Sequence, residues 1–203
     1  MPKGTVHVID DDLAMRESIE FLLGSAGYEV RLYESAQAFL DEPEVEFGCI
    51  LSDVRMPGID GLDLLKRQKA AGSKLPVLIM TGHGDVPLAV EAMKLGASDF
   101  IEKPFDDDRL IGLIELALKQ AQEGARSEAV TQDIALRIQS LSPRERQVMD
   151  GLVAGMSNKV IAREFDISPR TIEVYRANVM TKMQASSLSE LVRMAMRGGV
   201  IKD

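Results

Sequence analysis

"VLIMTG" (residues 77–82) is an apolar run that stops abruptly at a hydroxyl, Thr81. The pattern recurs along the first half of the chain: "VHVIDDD" (6–12) runs into Asp10, Asp11 and Asp12, "CILSDVRMPG" (49–58) into Asp53, and "FIEKPF" (100–105) reaches Lys103. Short β-branched or apolar runs stand at 5–9, 29–33, 49–51, 77–80 and 99–101, and helically spaced segments lie between them. Met15, Ile19, Leu22, Leu23 and Ala26 form one stripe, and Leu62, Leu64 and Leu65 open a second. Val86, Ala89, Val90 and Met93 form a third, and Leu110, Leu113, Ile114, Ala117 and Leu118 a fourth. This alternation predicts an α/β doubly wound sheet of five parallel strands. Runs that are apolar at successive residues fit strands covered on both faces. In such a sheet all strands end on one edge, so Asp10, Asp11, Asp53, Thr81 and Lys103 should converge in a crevice there.

A chain of 203 residues is comfortable for two domains, each with its own core. With 45% hydrophobic and 28% charged residues it has the composition of a soluble globular protein, and no apolar stretch approaches the roughly 20 residues of a membrane helix. The opening "MPKGTVHVID" lacks the apolar segment of a secretion signal, which predicts a cytoplasmic protein without membrane partners. The single cysteine, Cys49, excludes an internal disulfide and reads as a small core residue. Residues 1–120 carry 12 Lys and Arg against 22 Asp and Glu, whereas residues 121–203 carry 12 against 10, so the two parts should meet different partners.

Clustered carboxylates repel one another by about 1 kcal/mol or more per pair even at high dielectric, so the crevice calls for positive charge. Lys103 supplies one charge and a divalent cation another. Oxygen ligands without Cys or convergent His point to a hard cation, and few carboxylates with room for water suit Mg²⁺. An aspartate not fully used by the metal is able to attack a phosphoryl group and form an acyl phosphate. Asp53 is the candidate nucleophile, followed by the turn-rich "VRMPGIDG". Thr81 is placed to donate its hydroxyl to one phosphoryl oxygen and Lys103 to neutralise another. Asp12 directly precedes the Met15 helix and reads as its N-cap rather than a ligand. His7, inside a strand, and His83, in a Gly-flanked loop, are not candidates for catalysis, and "DEPEVEF" (41–47) reads as a solvated loop.

On these residues, 4–122 resembles the flavodoxin-like receiver domain of two-component response regulators. Asp10 and Asp11 match the family's acidic pair, Asp53 its phosphoacceptor, Thr81 its switch hydroxyl, Phe100 its switch aromatic, and Lys103 before Pro104 its lysine. The resemblance further implies that the Arg55 backbone carbonyl joins Asp10, Asp11 and Asp53 in holding Mg²⁺. A rival reading, an aspartate-nucleophile phosphohydrolase, wants an acid/base carboxylate two residues after the nucleophile, where Arg55 stands.

Beyond Gln122, "EGARSEAVTQDIALRIQS" lacks strand signals, and the recurrence of Val130, Ile134, Ile138 and Leu141 predicts a helical connector able to continue the preceding helix across Gly124. Four helix signals follow, and two are capping boxes, Ser142 with Glu145 and Ser187 with Glu190. Others begin at Ser157 and at Ser168, the latter followed by Pro169. The pair "SNKVIAREFDISPRTIEVYRANVMTKM" (157–183) has the layout of a helix-turn-helix. At 100° per residue, Ile172, Tyr175, Val179 and Met183 share the inner face, and Arg170, Glu173, Val174, Ala177, Asn178 and Thr181 face outward toward base edges. Asn158, Lys159, Thr171, Arg176 and Lys182 flank that face, where phosphates lie. Residues 138–200 resemble the LuxR-type four-helix DNA-binding domain, and with the receiver they resemble the FixJ-type branch of response regulators.

The sequence therefore predicts a receiver over 1–122, a helical linker over 123–138 and an all-α four-helix helix-turn-helix domain over 139–203. The implied protein is a transcriptional regulator phosphorylated on Asp53 by a sensor histidine kinase, a homodimer when phosphorylated, acting on promoter DNA with RNA polymerase. A regulator whose second domain binds only another protein is the alternative.

Overall fold

The computed structural model describes residues 2–42, 47–82 and 86–200; His83 and most of "DEPEVEF" lie outside them. The chain divides into two compact units, Met1–Gly124 and Ala125–Asp203.

The first unit alternates β1 (Thr5–Ile9), α1 (Leu13–Ser25), β2 (Glu29–Tyr33), α2 (Ala36–Leu40), β3 (Cys49–Asp53), α3 (Gly61–Ala70), β4 (Val77–Thr81), α4 (Val86–Lys94) and β5 (Asp99–Glu102), then enters α5 (Asp107–Gln139). The strands pair in parallel in the order β2-β1-β3-β4-β5. Every residue of β3 and β4 is buried, which is why these runs are apolar on both parities. Alternate side chains feed two cores. Ile9, Ile50 and Ile79 pack with Phe39 of α2, Leu64 and Leu65 of α3 and Ala92 of α4, while Val8, Leu51 and Met80 pack with Ile19 and Leu23 of α1 and Ile114 of α5. Cys49 is fully buried and burial pushes its thiol up to about 12, as befits a small core residue.

Two details differ from expectation. The short α2 carries no readable stripe, because only Ala36 and Phe39 of its five residues are buried. Asp53 and Thr81 are the last residues of their strands rather than the first beyond them, so the sheet ladder itself fixes their backbones. Asp12 is the N-cap of α1, its carboxylate accepting from Ala14 N at 2.9 Å. Gly61 opens α3 hard against β3. A methyl there would clash with the Asp53 carbonyl oxygen, so only glycine lets the loop after Asp53 close this tightly.

The second unit contains the end of α5, then α6 (Pro143–Val153), α7 (Asn158–Glu164), α8 (Pro169–Met183) and α9 (Leu188–Arg197). α5 is a single helix through Gly124, and residues 122–133 are all exposed. Ile134 and Ile138, expected in the linker, instead belong to the second unit's core with Met149, Ile172, Val179 and Leu191. The capping box at Ser142 and Glu145 is present in both directions. At α9 it is only half formed: Ser187 accepts from Glu190 N, but the Glu190 carboxylate accepts from Ser186 N, one residue earlier than a box requires.

Candidate functional site

The parallel register brings the C-terminal ends of β1, β3, β4 and β5 together, with Ile9 beside Ser52, Asp53 beside Met80 and Thr81 beside Glu102. Lys103, directly after β5, is anchored by its backbone N–H on the Thr81 carbonyl at 2.7 Å. Its ammonium donates to Asp10 Oδ2 at 2.7 Å and pairs with Asp53 Oδ1 at 2.9 Å. One carboxylate oxygen from each of Asp10, Asp11 and Asp53 falls within 4.8 Å of the others; Asp10 and Asp53 are buried and Asp11 is exposed. The Thr81 side chain is buried, and among the described residues its hydroxyl makes a long contact of 3.5 Å to the Ile101 carbonyl, weak enough to give way to a better acceptor.

Burial pushes the Asp53 carboxyl above the usual carboxylate range, and Asp10 adds to this, while hydrogen bonding and charge from Lys103 and a backbone hydrogen bond at Arg55 oppose it. For Lys103 burial is the largest single influence and acts downward, yet the hydrogen bonds and charges of Asp10 and Asp53 together hold the ammonium above its ordinary value. The lysine therefore stays charged while facing two acids. The donor set fits a hard divalent ion: three carboxylates close enough to share one cation, no thiol or imidazole among them, and one carboxylate open to water. Phe100 lies half-buried on β5, paired with Ile79 and packed against the core that contains α3 and α4.

One contributor was not anticipated. Arg16, in the first turns of α1, is buried and donates from its guanidinium to the Asp10 carbonyl at 2.6 Å, which fixes the loop that presents the acidic pair. Its signal was a cation between Met15 and Ile19 on an otherwise apolar stripe.

In the second unit, α7 and α8 join through a turn in which Asp166 adopts a left-handed φ of 51°. Ile172, Val179 and Met183 are buried, Tyr175 is partly so, and Arg170, Glu173, Val174, Ala177, Asn178 and Thr181 are all exposed on one side of α8. On α7, Lys159 is exposed. Arg176 donates to Asn158 Oδ1 at 3.4 Å, linking α8 to α7, and Thr171 lies within the N-cap network of Ser168, 2.8 Å from its hydroxyl.

Lys182 has partners within the domain: its ammonium donates to Glu145 Oε2 at 2.7 Å and to the Ser140 carbonyl at 3.2 Å, tying the end of α8 to the start of α6. The buried carboxylate of Glu145 needs that cation. Hydrogen bonds from Lys182 and from the Ser142 backbone hold its carboxyl at about 2, against an ordinary 4.5. A folded-state pKa below the unfolded one stabilises above the unfolded value and ceases to do so as pH falls through the folded value. We therefore expect the stability advantage of the parent over Glu145→Gln, followed by thermal unfolding of the second unit, to be constant above pH 4.5 and to shrink between pH 4.5 and about 2. A pH-independent gap would show that the pair does not carry it.

Comparison with known proteins agrees with both halves. Residues 6–115 match the response regulator receiver domain, and residues 139–195 match the bacterial regulatory proteins of the luxR family. The chain is 71% identical over 202 residues to the transcriptional regulatory protein FixJ of Bradyrhizobium diazoefficiens, covering 99% of this chain and 98% of that one. Among solved structures, full-length FixJ from B. japonicum is 70% identical with a TM-score of 0.63, each chain covered completely. The response regulator StyR is 37% identical with a TM-score of 0.86, covering 95% of this chain and 98% of that one. Among the described residues no helix is long and apolar enough to cross a membrane. An acidic crevice at the sheet edge, a helix-turn-helix module after it and full-length similarity together make this chain a response regulator of the FixJ type, a phosphorylation-dependent transcriptional regulator in which a receiver domain is joined to a LuxR-type DNA-binding domain.

Proposed function

We propose that Asp53 accepts the phosphoryl group of a sensor histidine kinase, and that this drives dimerisation and promoter binding in the cytoplasm, with RNA polymerase as the downstream partner. The observation that carries the reading is the Asp53 carboxylate itself, buried at a strand end, 2.9 Å from the Lys103 ammonium and beside the acidic pair. An ionised Asp53 oxygen attacks phosphorus; the new O–P bond forms as the N–P bond of the kinase's phosphohistidine breaks, and the imidazole leaves with the electron pair. Lys103 offsets charge on a phosphoryl oxygen, and the Thr81 hydroxyl donates to another. Mg²⁺, held by Asp10, Asp11, Asp53 and the Arg55 backbone carbonyl, supplies the remaining positive charge when bound. Labelling of Asp53 by acetyl phosphate should accordingly cease when EDTA removes the metal, as followed by intact-protein mass spectrometry. Labelling at the same rate in EDTA overturns the metal assignment.

The phosphoryl group adds about −1.5 to −2 charges at this edge, and Thr81 and Lys103 move toward it. Phe100, three residues before Lys103, then turns inward and reshapes the surface of α4 and β5. That surface already carries exposed apolar side chains, Val90 and Met93. Dimerisation through it is the expected response. At micromolar concentration the phosphorylated protein should sediment as a dimer and the unphosphorylated protein as a monomer, with Val90→Asp/Met93→Asp keeping both monomeric. Identical sedimentation of the two parent forms contradicts the proposal.

On the DNA side, Arg170, Glu173, Val174, Ala177 and Asn178 form the base-reading surface of α8, and Asn158, Lys159, Thr171 and Arg176 lie where phosphates would be held. Two such modules in a dimer address half-sites about 34 Å apart and gain avidity without new base contacts.

A further inference from the structure

The matched DNA-binding region begins at residue 139, yet the end of α8 is held by a residue before it. Arg137, on α5, donates from Nη1 to the Met183 carbonyl at 3.0 Å, and its other terminal nitrogen pairs with Asp133 Oδ2 at 2.6 Å. Met183 is the last residue of α8, after which Gln184 turns left-handed with φ 54°. The final carbonyls of a helix lack intrahelical donors and carry partial negative charge, so a guanidinium there satisfies one of them and complements the dipole. The neighbouring residue, Lys182, is tied to Ser140 and Glu145. Beneath these bonds, Ile134 and Ile138 of the same α5 segment pack in one core with Met183 and Val179. The Asp133 brace holds the guanidinium in place, and α5 thereby contributes both a floor and a clamp to α8.

We propose that Arg137 is a positioning residue for base reading, fixing the C-terminal end of α8 so that its outward side chains keep their register on the bases. Asn178 precedes Met183 by five residues, about 7.5 Å along the axis, so a pivot at the clamp displaces it directly. Base hydrogen bonds are intolerant of such displacement, whereas phosphate contacts are long-ranged and adjust. Loss of Arg137 should therefore remove selectivity before it removes binding. This rests on the reading of α8 as the base-contacting helix.

The test uses the full chain phosphorylated with acetyl phosphate, a duplex selected by the parent protein from a randomised pool, and a scrambled duplex of the same composition. In Arg137→Ala the affinity for the selected duplex should fall about tenfold, the scale of a charge-assisted hydrogen bond, with affinity for the scrambled duplex and the salt dependence unchanged. Arg137→Lys, which still donates to the carbonyl, should restore most of it. Asp133→Asn, which removes only the brace, should shift selectivity the same way by about threefold. An equal fall on both duplexes would mean a merely structural role, and a salt slope lower by about one would mean direct phosphate contact; either overturns the proposal, as does unchanged selectivity. Selectivity that is lost in Arg170→Ala/Asn178→Ala but kept in Arg137→Ala overturns this proposal alone. Selectivity that survives in the former overturns the reading of α8, and the proposal with it.

Discussion

Asp53→Asn should abolish phosphoryl uptake: after incubation with acetyl phosphate and Mg²⁺, intact-protein mass spectrometry should find the single added phosphoryl group on the parent and none on the variant. The amide is isosteric with the carboxylate, so the fold is unaffected, but its oxygen is a poor nucleophile and carries no charge. Asp53 is the only buried carboxylate in the acidic cluster that ends a central strand, with β1 on one side and β4 on the other. Asp10 is already engaged twice more, its second oxygen accepting from Asp12 N at 2.9 Å and its backbone carbonyl from Arg16. Both oxygens of the Asp10 carboxylate are thus engaged, one by Asp12 N and one by Lys103. Replacing one carboxylate by an amide also relieves part of the charge repulsion between acids in the crevice, so the variant should unfold at or above the parent's temperature. That separates lost chemistry from lost structure. Full labelling of the variant would remove Asp53 from the phosphoacceptor role.

The second large effect is expected on DNA. Arg170→Ala/Asn178→Ala deletes two exposed polar side chains from the outer side of α8 and removes nothing from the core, where Ile172, Val179 and Met183 lie. Each good bidentate base contact discriminates by about 1–3 kcal/mol, so losing two should lower affinity for a selected site by about 100-fold or more. Binding to scrambled DNA should change far less, because Lys159 and Arg176, proposed to meet phosphates, remain. Lys159→Ala is the contrasting case, with a uniform loss on all sequences and a salt slope reduced by about one. Equal losses on selected and scrambled DNA in the double variant would move base reading elsewhere.

Much of this was legible in the residues, for identifiable reasons. Strands buried on both faces must be apolar on successive residues, so β3 and β4 announce themselves, and the polar residue ending each run marks the functional edge. Helices capped by Ser142, Ser157 and Ser168 are equally plain, since the cap, joined after Ser142 and Ser168 by a proline at the first helical position, is local chemistry. What escaped depends on residues distant in sequence. Nothing local distinguishes Lys182, which pairs with Glu145 37 residues earlier, from a lysine that faces phosphate. Arg16 meets its partner, the Asp10 carbonyl six residues earlier, only where α1 packs against the Asp10 loop. The helix α2 was too short for a period to show, and the end of α5 read as linker because Ile134 and Ile138 could not be assigned to a core before the helices that complete it were in place.

The enclosure of Cys49 keeps sulfur out of any assembly of this protein. With its thiol pushed up to about 12 and its side chain fully enclosed, the chain's sole cysteine is held as the unreactive thiol, shielded from oxidants. Two copies therefore have no means of joining through sulfur while folded. A dimer formed on phosphorylation should therefore survive oxidising buffer, ignore reductants and dissolve when the phosphoryl group is lost, its lifetime independent of the redox state of its surroundings.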